Sequence, residues 1–398
     1  MNKVWMKMPD VLFFQEGPGV RNTQYTKEGV KLLNVSNLVD GKIDLSTSNR
    51  YISEEEAYGK YKHFLCDEGD FIVASSGIKV EYLDKKMGFV EKEMLPLCMN
   101  TSTIRFKVLD KEMLDIKYFM YYLKSEHYKN QVAFHITGSA QLNYGPSHLK
   151  KMVIPLIKIE KQHEIVKILD KISNAISNRY QELQLLDELV KARFVEMFGN
   201  PISNPLSWEK RTLKEVCVKV NDGTHSSPES YESGQYKYIT AKNIKISGFD
   251  FSNITYVSEE IHRPIYNRCN PEIGDVLYIK DGATTGIAMV NTLEEEFTLL
   301  SSVALLKQNR SIMNGYFLTA LLNNEDMYKD IRNYMGGAAI TRLTIAKLNS
   351  INVILPPIEL QNNFADFVKQ VDKSMEIIQK KIDTYQELFD KLMQEYFG

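Results

Sequence analysis

The chain has 398 residues, of which 43% are hydrophobic and 25% charged, and its formal net charge is −2. This composition is ordinary for a protein of two to three domains, and a near-neutral total argues against a protein that simply coats nucleic acid. No apolar run has the length of a signal peptide core or a membrane span, and the four cysteines form no CxxC pair. A cytoplasmic protein with reduced cysteines, no disulfide framework and no membrane contact is therefore expected.

The first segment, residues 1–155, is a mosaic of short apolar runs bounded by turn residues. Residues 31–35, 70–75 and 102–108 predict strands, and residues 113–132 predict a helix. The segment is therefore expected to contain both strands and helix.

Residues 156–199 predict one long helix, because apolar residues recur in alternating steps of three and four. Two arginines, Arg179 and Arg193, interrupt this seam. We favour the interpretation that both arginines are ordinary solvated charges on the helix surface. The alternative is that they contact a partner or pair with acids of the other long helix, such as Asp383 or Glu387. The other seam positions are Ile165, Leu169, Ile172, Ile176, Leu183, Leu186, Val190 and Met197.

Residues 200–355 repeat the first segment, and residues 201–208 (PISNPLSW) read as a linker. Residues 256–260 (YVSEE) answer to residues 51–55 (YISEE), and Gly274-Asp275 answers to Gly69-Asp70, all at an offset of 205. The repetition predicts a second domain of the same fold.

Residues 356–398 repeat the long helix at an offset of 199. Because about 38 residues make a rod of roughly 57 Å, too long for one small domain to cover, the two rods are expected to pack on each other. The second seam comprises Phe364, Val368, Val371, Met375, Ile378, Ile382, Tyr385, Phe389, Leu392 and Tyr396.

The sequence lacks the common catalytic motifs. The chain has no GxxxxGK[ST] phosphate loop, no GxGxxG after a strand, no HExxH pair and no nucleophile elbow. An Asn-Pro-Pro-Tyr tetrapeptide of amino-methyltransferases is also missing, since the sequence at residues 204–207 is NPLS. These observations predict a protein without catalysis of its own.

The two-fold repeat of a globular segment and a long helix that ends in Phe-Gly resembles the specificity subunits of type I restriction and modification systems. The resemblance covers the whole chain and includes Trp208, residues 212–216 (TLKEV), residues 222–225 (DGTH) and residues 137–141 (TGSAQ) before the first long helix. Residues 16–21 (EGPGVR) depart from DGTH in the first half, and residues 336–340 (GGAAI) depart from TGSAQ in the second. This divergence implies two different recognition surfaces.

The resemblance implies a DNA sequence-specificity subunit that takes part in phage defence. Each globular half would be an α+β target recognition domain that reads half of a split site on double-stranded DNA, with an unread spacer between the halves. The long helices would form an antiparallel coiled coil that holds the domains apart in a pseudo-twofold arrangement and docks two modification subunits. Those subunits are adenine methyltransferases, and two restriction subunits join where a translocase and nuclease are present. S-adenosylmethionine, ATP and Mg are expected on the partners, with no cofactor or metal on this chain.

DNA-reading side chains are expected on loops, because base contacts need donors and acceptors and phosphate contacts need Lys, Arg or backbone amides. Arg21 is the strongest candidate, since arginine to guanine is the commonest specific contact. His225 has no second metal ligand near it in sequence and is expected to be hydrogen-bonded or structural. The first-half candidates are Gly19, Arg21, Asn22, Asn37, Ser75, Ser76 and Lys79, with Asn143 and Tyr144 as candidates for phosphate contact. The second-half candidates are Thr224, His225, Ser226, Lys242, Asn243, Lys280, Asp281, Thr284 and Thr285, with Thr341 and Arg342 as candidates for phosphate contact.

Two other functions stay open at this point. A non-catalytic coiled-coil adaptor whose globular ends bind proteins would show no salt-sensitive DNA binding. A methyltransferase with a degenerate motif would bind S-adenosylmethionine by itself.

Overall fold

The computed structural model describes residues 3–136, 144–333, 335 and 342–398. The chain divides into two compact units, Met1–Asn178 with Ile382–Gly398 (unit 1) and Arg179–Lys381 (unit 2). Both divisions fall inside the long helices, so each unit contains part of each helix. The domain boundaries near residues 155, 200 and 356 stay a prediction. Within the described ranges, no helix is both long and apolar enough to cross a membrane.

Unit 1 contains the elements that precede the linker, together with the end of the last helix. Its elements in chain order are β1 (Val4–Lys7), β2 (Leu12–Glu16), β3 (Val30–Leu33), β4 (Leu38–Val39), β5 (Lys42–Ile43), β6 (Tyr51–Ile52), α1 (Glu54–Tyr58), β7 (Phe71–Ala74), β8 (Met87–Phe89), β9 (Leu97–Met99), β10 (Thr103–Val108), α2 (Ile116–Lys124), α3 (Glu126–His135), α4 (Pro146–Leu149), β11 (Val153–Leu156) and α5 (Ile159–Phe198), whose second half belongs to unit 2.

Unit 2 repeats most of this order. Its elements are β12 (Glu209–Thr212), α6 (Leu213–Val216), β13 (Cys217–Asp222), β14 (Tyr236–Ile239), β15 (Ile244–Lys245), β16 (Gly248–Phe249), β17 (Thr255–Val257), α7 (Glu259–Arg268), β18 (Val276–Ile279), β19 (Ala288–Val290), β20 (Phe297–Leu299), β21 (Val303–Gln308), α8 (Gly315–Asn323), α9 (Glu325–Arg332), α10 (Ile345–Asn349), β22 (Asn352–Leu355) and α11 (Ile358–Phe397), whose last part belongs to unit 1.

The two units share one sheet topology across the described residues. An antiparallel sheet of order β2-β10-β7-β8 in unit 1 corresponds to β13-β21-β18-β19 in unit 2. A mixed sheet of order β6-β3-β9 corresponds to β17-β14-β20, and in each the last pair is parallel. The α+β class and the repeat are confirmed.

One central strand of each larger sheet, β7 in unit 1 and β18 in unit 2, is buried on both faces. In β18, Val276 and Tyr278 belong to one hydrophobic cluster, whereas Leu277 and Ile279 belong to another. Because successive side chains of a strand point to opposite faces, such a strand needs an unbroken apolar run. This explains why the apolar run within residues 70–75 correctly predicted β7. Residues 102–108 and 31–35 also correctly predicted β10 and β3.

The long helices pair in antiparallel fashion. In unit 1, Ile165 and Leu169 near the start of α5 share a core with Tyr396 and Phe397 at the end of α11. In unit 2, Phe194 at the end of α5 lies 5.7 Å, ring centre to ring centre, from Phe364 near the start of α11. The predicted antiparallel coiled coil is therefore confirmed.

A glutamine near the start of each long helix ties it to the preceding loop. The Gln162 Nε2 donates to the carbonyls of Met113 and Ile157 at 2.8 Å, and its Oε1 accepts from the backbone of Asp115 at 3.0 Å. Gln361 makes the same kinds of bond in unit 2. Both glutamines are fully buried, so these bonds satisfy polar groups that would otherwise be stranded in the core.

Two predicted helix boundaries needed correction. The single helix predicted over residues 113–132 is two helices, α2 and α3, because Ser125 takes an extended conformation between them and its hydroxyl accepts from the backbone N–H of Tyr128. The predicted first rod helix, over residues 156–199, begins at Ile159, since β11 continues to Leu156 to pair with β1.

The seam arginines, both partly buried, pair along their own helix. Arg179 pairs with Glu182, and Arg193 lies 2.7 Å from Glu196 and 6.0 Å from the ring centre of Phe367.

Glycine is required where the loop after β2 crosses the chain at Asn100. A Cβ on Gly17 would lie 2.0 Å from the Asn100 carbonyl oxygen, whereas a Cβ on Gly19 would meet no atom within 4 Å. We expect Gly17→Ala to lower the free energy of unfolding of unit 1 by about 1–3 kcal/mol, because the backbone must move apart. Gly19→Ala is the matched control. Denaturant unfolding of the full chain measures both, and equal midpoints would contradict the prediction.

Candidate nucleic-acid interface

In unit 2, a buried lysine follows β18 at the edge where β13 also ends. The Lys280 Nζ lies 3.4 Å from Asp222 Oδ2 and 2.9 Å from Asp281 Oδ2. The side chains of Lys280 and Asp222 are each only 5% exposed. A buried ammonium between two carboxylates is stable only because its neighbours satisfy it, so these groups hold one another in place.

Three cationic or titratable side chains surround this buried group on its solvent side. Arg342 Nε lies 3.2 Å from Asp281 Oδ1, Arg268 Nη1 lies 3.5 Å from Asp222 Oδ1, and His225 Nε2 lies 3.2 Å from the same oxygen. Their side chains are 67%, 45% and 68% exposed. We call these six residues, Asp222, His225, Arg268, Lys280, Asp281 and Arg342, the charged cluster. Its acids face inward and its arginines face outward, which suits contact with phosphates and guanines.

Hydroxyl groups and loop backbone border the charged cluster. Thr224 is buried, its backbone N–H donates to Leu299 at 2.8 Å, and its hydroxyl lies 2.7 Å from that of the exposed Ser226. Thr285 is also buried, and its hydroxyl donates to the Gly282 carbonyl at 2.7 Å. Lys242 and Thr284 are exposed.

Unit 1 carries different chemistry at the corresponding edge. Ser75 follows β7 as Lys280 follows β18, and Glu16 ends β2 as Asp222 ends β13. The Ser76 hydroxyl donates to Ser102 at 2.6 Å, and Ser75 Oγ lies 3.4 Å from Glu16 Oε1. We call Glu16, Ser75, Ser76 and Ser102 the hydroxyl cluster. The two units therefore share a frame but present different side chains.

Other first-half candidates lie on exposed loops. Gly19, Arg21 and Asn22 are exposed, and the Arg21 backbone N–H donates to Gln24 Oε1 at 3.1 Å at the start of the 3-10 turn Asn22–Gln24. Lys79 is exposed ahead of a second 3-10 turn.

The structure corrects two candidates, Asn37 and Asn243, which brace loops inside the fold. Asn37 is fully buried, and its amide donates to Asp44 O at 3.0 Å while its Oδ1 accepts from the Asn34 backbone. Asn243 makes the same bonds to Asp250 and Thr240. Neither side chain is available to DNA in this conformation.

Further candidates are buried, so their side chains can only position neighbouring groups that are exposed to solvent. Tyr144 is 1% exposed in the core of unit 1, where burial raises the pKa of its hydroxyl, and its backbone N–H donates to Ser75 O at 2.9 Å. The buried candidates other than the two asparagines are Ser75, Tyr144, Thr224, Lys280 and Thr285. Asn143 and Thr341 lie outside the described residues.

Several cluster residues were missed at the sequence level. Asp222 ends β13 and opens the quoted DGTH motif, and that motif was the available signal. No pattern in the sequence marked Arg268, because it lies at the end of α7 and reaches Asp222 only through the tertiary fold. Ser102 was likewise hidden at the start of a strand; its backbone has a φ of 67°, a left-handed conformation uncommon for serine.

The thiols have no activated nucleophile among them. Burial raises the pKa of Cys98, Cys217 and Cys269 to about 12 and raises that of Cys66 further. All four are free and remain protonated at neutral pH. Over the residues that the structure covers, no group of three or more His, Cys, Asp or Glu side chains could hold a metal ion.

Comparison with known proteins gives a consistent result. A sequence model of the type I restriction modification DNA specificity domain matches residues 23–187 and again residues 205–385. The putative type I restriction enzyme MjaX specificity subunit of Methanocaldococcus jannaschii is 24% identical over 389 residues, covering 92% of this chain and 86% of that protein. The MjaIX specificity subunit of the same organism is 20% identical over 328 residues, covering 77% and 73%. The solved S subunit of a type I restriction-modification system from M. genitalium has a similar fold, with a TM-score of 0.60, 18% identity and coverage of 100% of this chain and 96% of that one.

Proposed function

We propose, because the chain belongs to the type I restriction modification DNA specificity domain family, that it is the DNA sequence-specificity subunit of such a system. Each recognition domain reads one half of a split site on double-stranded DNA. This assignment depends on one observation: the equivalent sheet edge of each unit bears different side chains. The edge carries the charged cluster in unit 2 and the hydroxyl cluster in unit 1. One frame with two sets of donors and acceptors suits the reading of two different short sequences.

The chemistry belongs to partner subunits in this proposal. Two modification subunits dock on the long helices and transfer the methyl group, with S-adenosylmethionine bound to them; restriction subunits, where present, use ATP and Mg. Exposed apolar side chains on these helices support docking there, among them Leu185 at 63% and Ile377 at 56% exposure. This chain acts without catalysis or a cofactor of its own.

Co-expression with the neighbouring modification subunit in a methylation-free host tests the proposal. We expect methylated adenines across the host genome at a single split motif, and exchange of residues 1–155 for another such domain should change one half of that motif only. Co-purification without any methylation would contradict sequence recognition and favour the coiled-coil adaptor. Methylation by this chain alone would contradict the non-catalytic role.

A further inference from the structure

Arg342 is held against Asp281 by both side chain and backbone. Its Nε lies 3.2 Å from Asp281 Oδ1, and the two residues form an antiparallel bridge. The next residue, Leu343, donates its backbone N–H to Lys280 O at 2.9 Å. The position of the Arg342 side chain is therefore set by the edge of the sheet.

Asp281 is itself held on its other oxygen. Lys280 Nζ lies 2.9 Å from Asp281 Oδ2, and the Asp281 side chain is only 13% exposed. One carboxylate oxygen thus faces the buried ammonium while the other accepts from the Arg342 Nε. A carboxylate fixed on both oxygens has little freedom to swing, so it orients the guanidinium that it holds.

This guanidinium belongs to a largely exposed side chain. The side chain is 67% exposed, and within the described part of the chain Asp281 is the one acid paired with it. Since the Nε takes the carboxylate, the Nη1 and Nη2 groups form a fork of donors toward solvent. That fork matches the O6 and N7 acceptors of guanine in the major groove.

The adjacent carboxylate also favours a base over a phosphate. The negative charge of Asp281 offsets part of the attraction between the arginine and an anionic phosphate. The base edge of guanine is neutral and binds through directional hydrogen bonds. The nearby carboxylate therefore weakens the interaction of the arginine with guanine less than its interaction with a phosphate. Arg268, whose Nη1 and Nη2 groups are both engaged with unit 2, does not present such a fork.

We infer that Arg342 reads a guanine in the half-site of unit 2 through its two terminal nitrogens, and that Asp281 and Lys280 are positioning residues. The inference rests on the proposed function and names the base that this site contacts. Unit 1 has Ser75 and Ser76 in place of the Lys280–Asp281 pair, so its half-site is read by other groups and provides an internal reference.

The test uses the complex with the modification subunit and genome-wide methylation mapping. The half-site of unit 2 is the one that stays constant when residues 1–155 are exchanged. We expect it to contain a G·C pair. Arg342→Ala and Arg342→Lys should each lower the preference for that pair over other base pairs by roughly 10- to 100-fold. Asp281→Asn should lower the preference for the same pair to a smaller extent, and the half-site of unit 1 should not change.

Arg310→Ala is the matched control. Arg310 is 58% exposed and lies 3.3 Å from a buried carboxylate, Asp275, at the opposite end of β18. We expect this variant to keep the motif of the unmodified chain. Because Arg342→Lys retains the charge and most of the side chain, it keeps the test decisive if the alanine variant folds poorly.

Three outcomes would overturn the inference. They are a unit 2 half-site without any G·C pair, an unchanged motif in both Arg342 variants, and a uniform loss of methylation with the motif intact, which indicates a phosphate contact. A complex of the unmodified chain that methylates no split motif would instead refute the proposed function, and the inference with it.

Discussion

Replacement of Arg105 by methionine is expected to destabilise unit 1 by about 3 kcal/mol, because it leaves a buried carboxylate without its main partner. Arg105 Nη1 lies 3.0 Å from Asp70 Oδ2, and the two side chains are 7% and 2% exposed. The same guanidinium donates to the carbonyls of Leu65 at 2.7 Å and His63 at 2.9 Å. Lys107 remains 3.1 Å from Asp70 Oδ1, which keeps the loss at the lower end of the range for a broken buried pair.

Urea unfolding of the full chain, with hydrogen exchange to locate the change in unit 1, measures this effect. Lys117→Met is the control, since the Lys117 pair with Asp170 is 50% and 29% exposed and should contribute under about 1 kcal/mol. If the two variants lose equal stability, the buried pair does not have the role assigned to it.

Replacement of Lys280 by methionine is expected to destabilise unit 2 by about 3 kcal/mol and to relax the unit 2 half-site. The change removes the ammonium that Asp222 and Asp281 share, so two largely buried carboxylates lose part of their compensation. Asp281 also loses the group that holds its Oδ2, which frees Arg342. Thermal unfolding of the full chain measures the first effect, and methylation mapping of the complex measures the second.

A double variant separates charge imbalance from loss of volume. Lys280→Ser with Asp281→Ser copies the Ser75-Ser76 pair of unit 1 and removes a negative charge together with the positive one. We expect it to be more stable than Lys280→Met. The exposed Lys242, replaced by methionine, should leave stability within about 0.5 kcal/mol of the unmodified chain. A double variant less stable than Lys280→Met would argue against the charge account.

The two clusters differ although the frame around them is repeated. The frame around each edge is repeated, with Gln162 and Gln361 anchoring the helices and Asn37 and Asn243 bracing equivalent loops. The side chains that follow β7 and β18 differ, but the backbone makes equivalent hydrogen bonds. Ser75 donates to Ser102 O and accepts from Tyr144, and Lys280 donates to Ser302 O and accepts from Leu343. Side chains at this edge can therefore differ without disturbing the core that supports them.

The antiparallel direction of the long helices and the α+β class were implied by the family resemblance. The sequence by itself determined the repeat, the main strands and helices within it, and the pairing of two long helices. These features depend on periodicity that is local in the chain, such as the three-four spacing from Phe364 to Tyr396 and the apolar runs of the central strands. The start of α5 was misjudged because β11 continues through Leu156 to pair with β1, a contact from more than a hundred residues away.

Only the tertiary structure decided which polar side chains form a surface. Asn37 and Arg21 were both candidates in the sequence, yet one is fully buried and the other is exposed. The charged cluster joins Asp222, Arg268, Asp281 and Arg342 from separate parts of unit 2. Burial and long-range ion pairs depend on how strands and loops meet in space, and residue spacing along the chain does not encode that information in readable form.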